Sequence, residues 1–353
     1  MSDGKEPRSM GCRLRAVVWG LTGLCVFTCL ASVRWLTPNG GSLDAAERSP
    51  LPYAPVPYAD SAAYMDGPDV AREMRWRQES VKAACPELSW RMTGGGVTEG
   101  AALDNLSKHS RALDHLIVDD RNQVLYCYVP KVACTNWKRM MLILTGGTNK
   151  TDPLAIPADS VHRMHKFRKL SDLKPDAIRH RLRTYTKFLF VRHPVERIIS
   201  AFRNKFEKNF TSSAYFKERF GVKIMKTYRK GAAPGSIPSS GHGVRFHEFV
   251  SYLIDTNPVT YNEHWALVSD MCFPCDMRYD FIGKYETLAE DSKFILEQIG
   301  APPSLHFPEV VPSKTTGVVE SYFGSLTPQQ QRELVQIYSE DFRIFDYHFK
   351  DYI

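Results

Sequence analysis

Short apolar runs that stop at polar turns, each followed by apolar residues at helical spacing, recur along the second two thirds of the chain. The run Val124-Leu125-Tyr126-Cys127-Tyr128-Val129 ends at Pro130 and predicts a buried strand. After it, Trp137, Met140, Met141 and Leu144 repeat at helical spacing, and Thr135 or Asn136 is the expected N-cap. Lys187-Phe188-Leu189-Phe190-Val191 predicts a second strand, Arg192-His193-Pro194 a turn and 195–206 a helix, with Pro194 suited to the first helical turn because its missing N–H would be orphaned there anyway. Between these units Ile178, Leu182 and Tyr185 mark a helix whose Arg179, His180, Arg181 and Arg183 form a solvated face. Phe246, Phe249, Val250, Leu253 and Ile254 mark another helix, residues 279–283 a further strand, and 328–341 a last helix with Thr327 as N-cap and Leu334, Ile337, Tyr338 and Phe342 on its apolar face. This alternation predicts an α/β fold, a central parallel sheet flanked by helices. In such sheets ligands sit beyond the carboxyl ends of the strands, where both turns fall.

Each turn leads into a helix N-terminus, whose unpaired N–H groups and partial positive charge suit an anion. Lys131 adds a full charge at the first turn. Arg192 and Ser200 are spaced to approach one bound group at the second, and Arg and Ser are both phosphate donors. The pattern G-x-x-x-x-G-K-[ST] is absent and the first turn holds no glycine, so a nucleotide triphosphatase or P-loop kinase fits poorly. An isolated basic residue at a strand end is usually a solvated charge; two such turns in one chain shift the reading toward a phosphate-bearing ligand.

The chain has 353 residues and a formal charge of +7. A basic surface suits a polyanion, but no zinc-finger spacing, RNP-like strand or basic heptad points to nucleic acid. Residues 16–33 are apolar and uncharged between Arg13, Arg15 and Arg34, long enough for a membrane-spanning helix of ~17–25 residues. A cleaved signal is the alternative; no small-x-small site follows, and Trp35 stands where an interfacial aromatic would. Lys5, Arg8, Arg13 and Arg15 keep the N-terminus cytosolic and make the rest luminal. The expected organisation is a tail over 1–15, a signal-anchor over 16–35, a Pro-rich stem over 36–100 with a charged helix at 69–84, and a catalytic domain over 101–353. Sequons at Asn105, Asn149 and Asn209 agree with a luminal domain.

Cys12, Cys25 and Cys29 belong to the tail and span, leaving Cys85, Cys127, Cys134, Cys272 and Cys275 luminal, an odd number that cannot all pair within one chain. Cys272-Phe-Pro-Cys275 resembles half a zinc site, but no second pair supplies the other ligands. A structural disulfide or buried thiols is the preferred reading, and no metal is expected. Cys134 lies inside the first turn, where small size matters more than reactivity.

Pro130-Lys-Val-Ala-Cys-Thr-Asn-Trp-Lys-Arg139 and Phe190-Val-Arg-x-Pro-x-Glu-Arg-x-x-Ser-Ala-Phe-Arg203 resemble the two cofactor motifs of Golgi carbohydrate sulfotransferases. With Asn262-Glu263-His264-Trp265, Cys272-x-Pro-Cys275 and 279–288, the resemblance covers about 116 to the C-terminus and is nearest the chondroitin and dermatan 4-O-sulfotransferase branch. It implies the sulfotransferase version of the P-loop fold in a single-pass type II Golgi membrane protein. The donor would be 3′-phosphoadenylyl sulfate, its 5′-phosphosulfate held by Pro130, Lys131, Val132, Ala133, Cys134, Thr135 and Asn136. Its 3′-phosphate would be held by Arg192, His193, Pro194, Val195, Glu196, Arg197, Ile198, Ile199 and Ser200. His193 departs from the acidic residue usual in the family, a change that removes an anion beside a phosphate. The implied reaction is sulfation at position 4 of N-acetylgalactosamine in a glycosaminoglycan, chondroitin or dermatan. Terminal N-acetylgalactosamine on N-glycans is the alternative acceptor, and a non-catalytic glycan-binding relative the alternative class. Lys131 would neutralise the leaving phosphate. Of the base candidates, His162 matches a histidine of relatives and lies in a loop between the two turns; His264, with Glu263, is the rival. A loop histidine is more often a surface group, and His264 beside Trp265 a packed one. Residues 313–316 are either a loop closing over the nucleotide or a plain polar loop.

Overall fold

The computed structural model describes residues 69–87, 113–162, 166–233, 235–309 and 316–348. The expected anchor, most of the stem, Asn105 and most of the loop at 313–316 lie outside them. No helix among the described residues is long and apolar enough to cross a membrane.

Four strands, β1 (Leu116–Asp119), β2 (Val124–Cys127), β3 (Thr186–Val191) and β4 (Phe281–Lys284), form one sheet in sequence order. β2, β3 and β4 run parallel, as the alternation predicts; β1 is antiparallel to β2 and closes one edge of the sheet. The sheet is mixed rather than wholly parallel because β1 returns into β2 through the short turn at 120–123, too short for the crossover that a parallel pair needs.

Helix α1 (Val70–Ala84) precedes the sheet; α2 (Cys134–Leu144) follows β2, α3 (Pro175–Thr184) leads into β3 and α4 (Pro194–Phe202) leaves it. Then come α5 (Phe246–Asp255), α6 (Leu288–Gln298), α7 (Pro328–Ile337) and α8 (Ser339–Ile344). The stripe expected on α2 is the one that seats it: Trp137, Met140, Met141 and Leu144 are all buried. The Trp137 ring lies 4.8 Å from Phe188 and 4.9 Å from Phe190 of β3. Phe190 needs the space that Gly283 leaves opposite it on β4, since a Cβ there would stand 2.3 Å from the Phe190 ring.

The last helix departs from the single element expected. It starts at the predicted cap, where the Thr327 hydroxyl accepts the Gln330 N–H, but breaks at Tyr338. The break redirects α8 so that the buried Asp341 carboxylate accepts the N–H groups of Val268 and Ser269 at 2.7 and 2.9 Å. Burial pushes the Asp341 carboxyl up to about 6.

The helix expected at 69–84 forms, but it is built into the fold instead of extending the stem. Met74 and Val81 join the main core, and Arg77, only 5% exposed, donates to Asp291 of α6 at 2.6 Å and to the Ile282 carbonyl of β4 at 3.0 Å. Cys85 is bonded to Cys275, and Cys127, at the end of β2, to Cys272. The two halves of the suspected zinc pair therefore belong to separate disulfides. Among the described residues Cys134 is the free thiol.

Asp291 also accepts from Thr287 and the Lys284 N–H, so removing its cation strands a buried carboxylate. Arg77→Ala should lower the unfolding free energy by about 3–5 kcal/mol in urea titration. Glu73→Ala, which removes the half-exposed partner of the same arginine, should cost under about 1 kcal/mol.

Candidate anion-binding active site

The chain leaves β2 through Tyr128, Val129 and Pro130 and enters a turn in which Lys131 (φ +73°) and Ala133 (φ +53°) both adopt left-handed backbone. For residues with a Cβ that conformation costs about 1–2 kcal/mol each, a strain that persists where the surroundings enforce it. Alternating backbone handedness turns successive N–H groups toward one concavity, a nest for an anion. Helix α2 then begins at Cys134, with Ala133 as N-cap and no side chain capping it. The expected caps, Thr135 and Asn136, lie inside the first turn, because the strained Ala133 already presents its carbonyl to the N–H groups of Asn136 and Trp137. Their side chains serve the neighbouring loop instead. Thr135 Oγ1 lies 3.0 Å from His162 Nε2, while Asn136 Oδ1 accepts from Arg139, which also donates to the Ile156 carbonyl at 2.9 Å. The loop carrying His162 is thereby tied to the first turn at both ends.

Cations predominate at this turn, tempered by the Glu263 carboxylate, whose field raises the proton affinities of Lys138, Lys205 and His162. Burial, reinforced by Lys205, Arg192 and Lys208 and opposed by Cys134, brings the Lys131 ammonium down to about 8. Lys138, on α2, is likewise lowered by burial and stands 3.7 Å over the Tyr128 ring. Lys205 is 6% exposed, with no carboxylate in ion-pair distance among the described residues. Sequence reasoning missed Lys138 and Lys205. The first continues the Thr-Asn-Trp-Lys run on the helix's next turn; the second follows the second motif by a few residues, and only the three-dimensional path brings it back.

The second turn is built oppositely. Arg192 is buried, with Nη2 and Nε 2.6 and 3.1 Å from Glu196 Oε2, its guanidinium 4.2 Å over the Tyr285 ring and Nη1 3.5 Å from the Lys131 carbonyl oxygen. The His193 N–H donates to Glu286 at 2.9 Å, and its ring packs edge-on to Phe342 and Tyr347. Pro194 stands at the first position of α4 as expected, and α4 continues into a π-helical turn over Arg203–Glu207. Val195, Ile198 and Ile199 belong to the hydrophobic core, while Ser200 is half-buried. Arg197, expected beside a bound phosphate, is 1% exposed and donates to the carbonyls of Pro130, Ala266 and Glu263 at 3.1, 2.7 and 3.1 Å. It clamps the first turn to the segment holding His264.

That clamp brings His264 to the first turn, where Thr135 already holds His162. His162 has an exposed face, yet partial burial and the charges of Lys138 and Lys205 bring it down to about 4. His264 is pushed well below its usual value by burial and by Lys205, Lys131, Arg197 and His162. Its Nδ1 lies 2.7 Å from Asn262 Oδ1, which as a carbonyl oxygen accepts; Nδ1 therefore carries the proton and Nε2 the lone pair. Glu263 Oε1 is 3.9 Å from the same Nδ1, and Trp265 is fully buried, as its expected packing role requires.

A cavity of about 1070 Å³ opens beside the second turn, between Glu196 and Tyr285 and the loop of Pro302, Pro303 and Phe307. Glu196, Glu286, Glu290, Glu297 and Glu309 stand in its wall. Phe307 connects it to α2, with its ring 5.0 Å from Trp137. So acidic a wall suits the neutral part of a ligand and repels phosphate.

Residues 114–348 match the family profile described as the Sulfotransferase family. Carbohydrate sulfotransferase 11 of Mus musculus is 42% identical over 246 residues, 68% of this chain and 69% of its own length. Carbohydrate sulfotransferase 14 of Homo sapiens is 46% identical over 196 residues, 56% of this chain and 49% of its own length. Carbohydrate sulfotransferase 12 of Mus musculus is 36% identical over 300 residues, 79% and 70% of the two chains. No solved structure matches. The strand-to-helix turns, the cation-lined nest and these matches together establish that the chain belongs to the sulfotransferase family and is an enzyme that transfers sulfate to a carbohydrate.

Proposed function

We propose that this enzyme transfers the sulfuryl group of 3′-phosphoadenylyl sulfate to the 4-hydroxyl of N-acetylgalactosamine in chondroitin or dermatan, from a type II anchor in the Golgi membrane. The observation that carries the donor reading is the first turn: a strained nest, an uncapped helix and lysines that form no ion pair among the described residues fit a phosphosulfate. Lys131 there neutralises the phosphate oxygen that departs with the S–O electron pair. The acceptor hydroxyl oxygen forms the new bond to sulfur, and its proton passes to a base. His162 is that base: its low proton affinity keeps the imidazole neutral at luminal pH, and its link to Thr135 holds the ring at the first turn. The second turn, through Arg192 and Ser200, receives the 3′-phosphate, and the cavity beside Tyr285 and Phe307 the nucleoside. Two disulfides and exposed sequon residues Asn149 and Asn209 support an oxidising lumen. The acceptor reading rests on the branch resemblance of 262–265 and on the basic charge of the chain. Transfer of labelled sulfate to desulfated chondroitin, dermatan and terminal N-acetylgalactosamine N-glycans, followed by disaccharide analysis, tests it; label confined to the N-glycan would reassign the acceptor.

Lys131 makes donor binding pH-dependent, with a sign that follows from its depressed proton affinity. A bound phosphate favours the charged amine, so affinity is full below about 8 and falls as pH rises toward the raised value of the complex. Calorimetry with adenosine 3′,5′-bisphosphate in buffers of differing ionisation enthalpy should show proton uptake near pH 8.5. Lys131→Ala should abolish that uptake and lower turnover by ~10²–10³. An unchanged pH profile in that variant would remove the role.

The base assignment separates cleanly in paired variants. His162→Ala should lose turnover by ~10²–10⁴ with donor affinity within a few-fold, and His162→Gln should not restore it. If His162→Ala turns over normally while His264→Ala binds donor and is inactive, the base is His264.

A further inference from the structure

Lys205 belongs to neither turn, yet the fold delivers it to the site. It sits on the π-helical turn Arg203–Glu207 that extends α4, where the wider register shifts the residues that follow relative to a continued α-helix. The side chain is 6% exposed, and its ammonium lies 4.2 Å from the centroid of the Phe216 ring. Phe216 in turn meets the His264 ring edge-on at 5.0 Å. Through the carbonyls of Pro130, Glu263 and Ala266, the single guanidinium of Arg197 fixes His264's segment against the first turn. Lys205 thus reaches the His264 segment through Phe216, and its charge acts on both His264 and Lys131.

No ion pair engages Lys205 among the described residues, and a cation–π contact does not replace the hydration that a buried ammonium gives up. The electrostatics agree with the geometry: burial lowers the proton affinity of Lys205 against the opposing fields of Glu263 and Cys134, and its charge lowers those of Lys131, His162 and His264. We propose that Lys205 is a catalytic residue that contacts the sulfuryl oxygens during transfer, distinct from Lys131, which serves the departing phosphate. This rests on the donor reading above. As the acceptor oxygen–sulfur bond forms and the sulfur–phosphate oxygen bond breaks, the electron pair leaves on phosphate and the acceptor proton goes to the base. Lys205 exchanges no proton; its fixed charge holds the three sulfuryl oxygens in line.

The test compares two nucleotides that differ by the sulfuryl group. In calorimetry, Lys205→Met should bind adenosine 3′,5′-bisphosphate within about twofold of wild type but 3′-phosphoadenylyl sulfate ~5–20-fold more weakly, and its turnover should fall ~10²–10³. Lys205→Arg should recover part of both losses. The Met stem keeps the contact with Phe216, and an unchanged thermal midpoint confirms the fold. Equal weakening toward both nucleotides, or turnover within threefold of wild type, overturns the assignment. Failure of wild type to bind either nucleotide overturns the donor reading and this role with it.

Discussion

Three carbonyl oxygens on two separate stretches of chain converge on the guanidinium of Arg197, and the site depends on that contact. Pro130 lies at the end of the first strand-to-helix turn, Glu263 and Ala266 flank the His264 segment, and Arg197 projects from the helix after the second turn. A planar fork of donors suits this task as an ammonium would not. Carbonyl dipoles stand in for water around a buried cation. The three parts of the site are thus held by backbone atoms, which leaves their side chains available for chemistry.

The two turns share a plan and divide its electrostatics. At the second, Glu196 answers Arg192 and Glu286 accepts from the His193 N–H, so its cation is already paired. At the first, backbone N–H groups and lysines gather beside the Glu263 carboxylate, and burial above all, with repulsion among the cations at Lys131, depresses the lysines' proton affinities. The first turn therefore leaves more positive charge unanswered than the second, where Arg192 is already engaged by Glu196. Binding strength and site stability trade against each other at the first turn, as strain at Lys131 and Ala133 also indicates.

Much of this was legible in the chain because it is local. Short apolar runs and helical spacing locate β2, α2, β3 and α4, and the apolar stripe of Trp137, Met140, Met141 and Leu144 is buried as its spacing requires. The start of α2 was misread by two or three residues, since Thr135 and Asn136 are good caps by composition and only the left-handed turn before them reassigns their hydroxyl and amide. The break at Tyr338 serves Asp341, whose partners lie some seventy residues earlier in the chain; no local pattern encodes such a contact. Arg197 read as a phosphate ligand because an arginine on a motif helix offers the same donors to a carbonyl as to an anion. Lys205 was invisible for a further reason: a π-helical register changes which face a residue occupies, and periodicity assumes it does not. The role of α1 turned on Arg77, a charge that sequence assigns to solvent.

The disulfides carry a consequence for how the protein is made. Cys85 waits 190 residues for Cys275, and Cys127 waits 145 for Cys272. At ~5–20 residues per second, the β2 thiol emerges roughly 7–30 s before its partner exists. Through that interval Cys85, Cys127 and the unpaired Cys134 are the thiols at hand, close in sequence and able to join wrongly. Any wrong pair formed in that interval has to be reshuffled before Cys272 and Cys275 find their partners. The thiol inside the anion-binding turn is the one on which an early error would be most damaging.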